Sequence, residues 1–161
     1  MTERIALIST FLAALGAGMM GGLFFIFSNT VMAAFGKLPA VDGIAAMNSI
    51  NLTILNGTFL GVFMGTALIS AVLLVSWFLG WMPSGGTLVL AGSLVYLVGI
   101  LGVTMVFNVP MNDALAAVQP DSAAAASLWQ DYLSRWTMWN HVRTIAGIGA
   151  STLFILALAA G

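Results

Sequence analysis

The sequence predicts an all-α integral membrane protein: a four-helix antiparallel bundle whose connections contain short helices. Of the 161 residues, 61% are hydrophobic and 6% are charged, and the mean hydropathy is +1.09. A soluble domain carries about 25% charged residues. No charge occurs between Arg4 and Lys37 or between Asp42 and Asp113, and one bilayer crossing takes about 20 apolar residues. These stretches therefore hold one and two crossings, and the segment after Trp136 holds a fourth.

The four crossings are expected in a single domain, at residues 5–31, 55–77, 87–107 and 138–158. The first begins like a signal peptide, but its apolar character runs to Phe35, beyond the roughly 7–15 residues of a signal core, so we interpret it as a retained helix. A tight turn at 80–86 joins the second and third crossings. Short helices are predicted in the other two connections, at 39–50 and at 113–135, the second with a break at Pro120. Pro110 is expected to end the third crossing, because proline lacks a backbone N–H.

The composition excludes several classes of function. Net charge is −1 without a basic run, so nucleic acid is not an expected partner. Cysteine is absent and His141 is the only histidine, which excludes thiol catalysis and metal sites built from several imidazoles. A di-iron site needs about four carboxylates plus histidines, and the aspartates fall in connections that are expected to be exposed. We therefore expect no metal site, and the expected partner at this point is the lipid bilayer.

Polar side chains concentrate towards one membrane face. In an up-down bundle, the ends of the first and third crossings meet the starts of the second and fourth on one side. Amides that are buried in lipid must find hydrogen-bond partners. We therefore expect a polar pocket at this face, closed by apolar walls. Its candidate substrate-binding residues are Asn29, Asn56, Asn108, Asn112, Trp136 and Trp139.

The segment 135–143, with sequence RWTMWNHVR, begins the fourth crossing. It contains the candidate catalytic residues His141, Arg143 and Asn140. Trp136, Asn140 and Arg143 are spaced i, i+4, i+7, so they share one helix face. His141 lies about 100° further round than Asn140 and flanks that face. Arg143 either faces the pocket or snorkels to water, and the polar cluster favours the pocket. A lone imidazole beside amide and guanidinium donors can remove an acidic carbon-bound proton and stabilise the oxyanion that results.

Two further patterns concern helix packing and orientation. Glycines recur every four residues in the first two crossings, where they let helices approach closely; they are Gly18 and Gly22, then Gly57, Gly61 and Gly65. These faces are expected to pack within the bundle or to join copies in a homo-oligomer. Lys37 and Arg135 lie on the polar-pocket side and Arg4 on the other. The positive-inside rule therefore favours a cytoplasmic pocket side.

Three motifs carry a resemblance to a known family. They are GLFF at 22–25 with Ser28, NVPMN at 108–112 and WTMWNHVR at 136–143. Together they resemble the anthrone oxygenase-like family of small four-span membrane proteins, many of them bacterial, and the resemblance covers nearly the whole chain. It implies a cofactor-independent monooxygenase that oxidises a lipophilic aromatic such as an anthrone with molecular oxygen. His141 would be its base, and the bacterial inner membrane its location.

The residues themselves leave two other functions open. The pocket could serve a non-catalytic binding protein for a lipid, a quinone or a similar amphiphile. Alternatively, the polar cluster could only lock four helices together in a structural accessory subunit. Oxygen consumption in the presence of an anthrone would distinguish the enzyme from both.

Overall fold

A computed structural model describes residues 2–82 and 86–160, and all regular structure in this part of the chain is helical. In chain order its helices are α1 (Glu3–Phe35), α2 (Ala40–Thr53), α3 (Gly57–Phe78), α4 (Gly86–Ala117) and α5 (Ala123–Ala160). Four of them, all except α2, are long and apolar enough to cross a membrane. The prediction of an all-α membrane protein with four crossings is confirmed.

The third and fourth crossings are longer than the sequence predicts. α4 passes through Pro110 and ends at Ala117, and α5 begins at Ala123, well before residue 138. A π-helical turn at Thr104–Asn108 directly precedes the proline. Such a turn shifts the backbone hydrogen-bond pattern, so the missing N–H and the ring of Pro110 are accommodated without ending the helix. The segment 113–135 is helical with an interruption at 118–122, which includes the predicted break at Pro120, but its two parts are the end of α4 and the start of α5.

The first connection contains a helix, as expected, and α2 follows Pro39 directly. A sharp turn then leads into α3, and Asn56 stabilises it. The Asn56 Oδ1 accepts hydrogen bonds from the backbone N–H groups of Thr58 and Phe59, at 3.1 and 3.0 Å. Asparagine is a preferred N-cap because it satisfies such orphan donors. This turn folds α2 back over one end of the bundle.

Helices α1 and α5 form the most extensive interface of the bundle. They approach closely at Gly21 and Gly147, where a Cβ added to Gly147 would lie 2.6 Å from the Gly21 Cα. The glycines of α3 behave differently, since a Cβ at Gly57, Gly61 or Gly65 would meet nothing within 4 Å. This α3 stripe is therefore not used in packing between the described helices.

Two clusters of buried side chains meet at the end covered by α2. One fills the interior of the bundle and includes Phe24 of α1. The other joins Met47 of α2 to Trp129 and Trp136 of α5. Gly43 lets the Trp129 ring lie directly on α2, because a Cβ there would be 2.6 Å from that ring. The candidate site lies where the two clusters adjoin.

Candidate functional site

A cavity of about 490 Å³ lies between α2 and one end of the four crossing helices. Its volume falls within the roughly 300–1,000 Å³ that is typical of small-molecule sites. Most of its walls are apolar, including Phe24, Phe27 and Phe59. Its polar lining residues are Asn48, Asn51, Thr104, Asn112, Asp113 and Arg143.

Arg143 is the central polar residue of this cavity. Its side chain is only 5% exposed, and its Cζ lies 4.3 Å from the centroid of the Phe24 ring and 5.1 Å from that of Trp136. One terminal nitrogen donates to the Asn140 Oδ1 at 2.6 Å and the other to the Thr104 Oγ1 at 3.3 Å. The Nε is buried and has no hydrogen-bond partner. The guanidinium thus faces the cavity instead of snorkelling to water.

The charge of Arg143 is not neutralised by a carboxylate in the described part of the chain. The ion pair found there joins Arg135 to Asp131 at 3.3 Å, on the exposed start of α5. A buried cation without a counterion is costly unless donors, aromatic faces or a ligand compensate it. A cavity-lining cation without a counterion suits an anion, or an oxygen that becomes negative during a reaction.

Asn140 holds Arg143 in place and is fully buried. Its Nδ2 donates to the Phe24 backbone carbonyl at 2.6 Å and to the Ser28 Oγ at 2.7 Å, while its Oδ1 accepts from Arg143. Ser28 lies in a π-helical turn of α1, Phe27–Val31. Its amide is thus engaged with protein groups, it does not line the cavity, and it holds the guanidinium in place.

Asn112 anchors the aromatic wall of the cavity. Its Oδ1 accepts hydrogen bonds from the Tyr132 hydroxyl at 2.7 Å and from the Trp136 Nε1 at 2.9 Å. The rings of Trp129, Tyr132 and Trp136 stack in series, with centroids 5.6 and 5.9 Å apart. Asn112 and Trp136 both line the cavity, as the sequence predicts for them.

The other four predicted substrate-binding residues do not line it. Asn108 is buried behind the wall, and its Nδ2 donates to the Trp136 carbonyl at 3.3 Å. The Trp139 ring stacks on Phe107, with centroids 3.5 Å apart. Asn56 caps α3. Asn29 is exposed, because it follows the inward-facing Ser28 and one helical position turns a side chain by about 100°.

His141 is exposed and does not line the cavity. It precedes the inward-facing Arg143 by two positions, which places the two side chains about 200° apart around α5. Reaching the cavity would require a comparable rotation of the helix. The role of His141 as a base therefore stays a prediction.

Four polar lining residues are not among the sequence-based candidates: Asn48, Asn51, Thr104 and Asp113. Asn48 and Asn51 are three positions apart and so share a face of α2. The Asn48 Oδ1 and the Asn51 Nδ2 are both buried without a hydrogen-bond partner. The i, i+3 asparagine spacing in the first connection is the signal that could have identified α2 as a cavity wall.

The cavity thus combines one guanidinium, one carboxylate and several amides within apolar walls. Within residues 2–82 and 86–160, no group of three or more metal-ligating side chains comes together. Such a set of groups can bind a lipophilic molecule by its rings, hold a polar oxygen on it, and stabilise negative charge on that oxygen.

The family of this chain follows from its similarity to a family model. A family model described as "Anthrone oxygenase" matches residues 59–153, more than half of the chain. The chain belongs to the anthrone oxygenase family. The part that matches this family contains Asn112, Trp136, Asn140 and Arg143, whereas the walls built by α1 and α2 lie outside it. No curated protein and no solved structure matches this member of the family.

Proposed function

We propose that this protein is a cofactor-independent monooxygenase that acts on a lipophilic aromatic with an acidic C–H bond, such as an anthrone. The observation that supports it best is the buried Arg143, a cation with no carboxylate partner among the described residues, on the wall of an apolar cavity. An anthrone is neutral and apolar when it enters and gains an oxyanion when it loses a proton. A pre-positioned cation stabilises that charge without the cost of reorganising solvent.

The reaction requires only the aromatic and oxygen. Loss of a proton from the methylene carbon opposite the carbonyl leaves the electron pair in the ring system, and the negative charge is shared with the carbonyl oxygen. The guanidinium of Arg143 would lie beside that oxygen and stabilise its charge, and Trp136 would stack on the rings. The carbanion then reacts with oxygen. Overall, one anthrone and one O₂ give one anthraquinone and one water, so no external reductant is needed.

Asn140 has a positioning role in this proposal, since its Oδ1 fixes the guanidinium. The proposal rests on this oxyanion site and not on His141, whose side chain lies outside the cavity. The alternative function for the same cavity is non-catalytic binding of a lipid, a quinone or a similar amphiphile. Turnover separates the two.

The test is oxygen uptake by the purified protein in detergent with an anthrone, compared with protein-free autoxidation. Arg143→Gln should lower the catalysed rate by about 10²–10³-fold, the usual cost of removing an oxyanion donor, and Arg143→Lys should retain part of it. Arg135→Gln is the matched control, because this arginine is exposed on the same helix. Wild-type uptake no faster than autoxidation would refute the oxygenase; retained binding of the anthrone would then favour the binding protein.

The proposed setting is a bacterial inner membrane with the cavity end towards the cytoplasm. Two exposed basic residues, Lys37 and Arg135, belong to the cavity end, and Arg4 belongs to the opposite end. The positive-inside rule favours this orientation. The uncovered α3 glycines are the proposed contact if copies of the chain associate.

A further inference from the structure

Helix α4 turns one continuous face towards the cavity. The α4 residues that line it after the π-helical turn are Val109, Asn112, Asp113 and Ala116. Their spacing is i, i+3, i+4, i+7, which is one side of an α-helix. The Asp113 position therefore belongs to the middle of the cavity-facing stripe, between Asn112, which is held by two aromatic donors, and Ala116.

Asp113 and Arg143 are the ionisable side chains among the described residues that line the cavity. A sphere of 490 Å³ is about 10 Å across, so a ligand that fills the cavity can reach both groups. The two do not form an ion pair. Arg143 is buried, whereas Asp113 is exposed, so the carboxylate also contacts water.

We propose that Asp113 is the proton acceptor of the cavity. The proposal rests on the function proposed above. In this step, the C–H bond of the ligand methylene breaks and an O–H bond forms on the Asp113 carboxylate. The electron pair stays on the ligand, and the negative charge moves to the carbonyl oxygen beside Arg143. Because Asp113 is exposed, the proton can then pass to water, which restores the carboxylate.

The roles proposed for the Asp113 carboxylate and the Arg143 guanidinium agree with the chemistry of these groups. A carboxylate can act as general base towards a C–H bond that is acidified by a carbonyl when fixed donors hold the developing oxyanion; in an anthrone the carbonyl acts through the conjugated rings. The base and the oxyanion donor must both reach the same ligand. Asp113 of α4 and Arg143 of α5 meet this condition because both line the cavity. His141 lies on the opposite side of α5 from the cavity, since its side chain is about 200° around the helix from that of Arg143.

The test separates proton abstraction from oxygen chemistry. Anthrone is incubated in D₂O under argon with the protein in nanodiscs, and deuterium uptake at its methylene carbon is followed by mass spectrometry. Asp113→Asn should lose about 10²–10⁴-fold of the protein-catalysed exchange rate, while quenching of tryptophan fluorescence by anthrone shows that the cavity still binds. Asp113→Glu should recover part of the exchange. Asp121→Asn, at an exposed aspartate that does not line the cavity, should match wild type.

The other possible outcomes test the base proposal and the oxygenase proposal separately. Exchange by Asp113→Asn at the wild-type rate overturns the proposal, and its loss in His141→Gln instead would return the base to the histidine. Wild-type exchange that depends on Asp113, without oxygen consumption in air, supports the base and refutes the oxygenase. Oxygen consumption that is equal in wild type and Asp113→Asn refutes the base and leaves the oxygenase. Absence of both activities in wild type overturns both.

Discussion

The guanidinium of Arg143 lies where three helices are tied together by polar atoms. Thr104 accepts from it on α4, Asn140 accepts on α5, and Asn140 in turn donates to the Phe24 carbonyl and to Ser28 on α1. In a low-dielectric interior such chains strengthen one another, and an unpaired member is costly. The network that prepares the cavity for an oxyanion therefore also holds α1, α4 and α5 together.

Replacement of Asn140 tests this network. Asn140→Ala should lower the free energy of unfolding by about 2–3 kcal/mol, because it removes three hydrogen bonds and leaves Arg143 without its shortest partner. Asn29→Ala is the matched control and should change it by less than about 0.5 kcal/mol, since Asn29 is exposed. Unfolding in detergent, followed by circular dichroism, measures both. An equal decrease in the free energy of unfolding in the two variants would show that the Asn140 network does not stabilise the protein more than an exposed asparagine does.

The positions of cavity residues are predictable from the sequence where spacing alone defines a helix face. Trp136 and Arg143 follow one face of a long helix, and both line the cavity. Asn56 misleads because a polar residue at a helix boundary serves equally well as a cap. Asn29 misleads because a register error of one position separates it from the buried Ser28.

At the scale of elements, the end of α4 is the main point at which the sequence misleads. Proline predicts a helix end, yet the π-helical turn Thr104–Asn108 carries the helix through Pro110 to Ala117. A π-helical turn has no reliable signature in a single sequence, because it depends on side chains that pack around it. The consequence is functional: Asp113 is expected in an exposed connection beyond the third crossing, so the sequence does not predict it as a cavity residue.

The two glycine patterns can be told apart by substitution. Gly147→Ala should destabilise the protein by about 1–3 kcal/mol, because the added Cβ would lie 2.6 Å from the Gly21 Cα and the α1–α5 pair must separate. Gly61→Ala should be neutral or slightly stabilising, since its Cβ meets nothing within 4 Å and alanine favours helix. Thermal unfolding in detergent compares them. A Gly61→Ala protein that changes oligomeric state in native mass spectrometry would show that the α3 stripe joins copies of the chain.

For the whole molecule, hydropathy predicts the architecture well and the cavity poorly. Four apolar stretches must become four helices, because lipid offers no partner for free backbone groups. The cavity depends on how α2 folds over the end of the bundle, and that follows from tertiary contacts such as Gly43 under the Trp129 ring. A polar end is therefore predictable, whereas the contribution of Asn48 and Asn51 to its wall is not.

The orientation of the whole bundle is a prediction that the chain is well suited to test, because it contains no cysteine. Thr2→Cys marks the N-terminal end and Ser49→Cys marks the cavity end; both positions are exposed. In intact bacterial cells, a membrane-impermeant maleimide should label Thr2→Cys, and Ser49→Cys only after lysis, because Lys37 and Arg135 favour a cytoplasmic cavity end. Removing both charges, with Lys37→Gln and Arg135→Gln, should give mixed labelling. The reverse pattern in the single-cysteine proteins would place the cavity outside the cytoplasm.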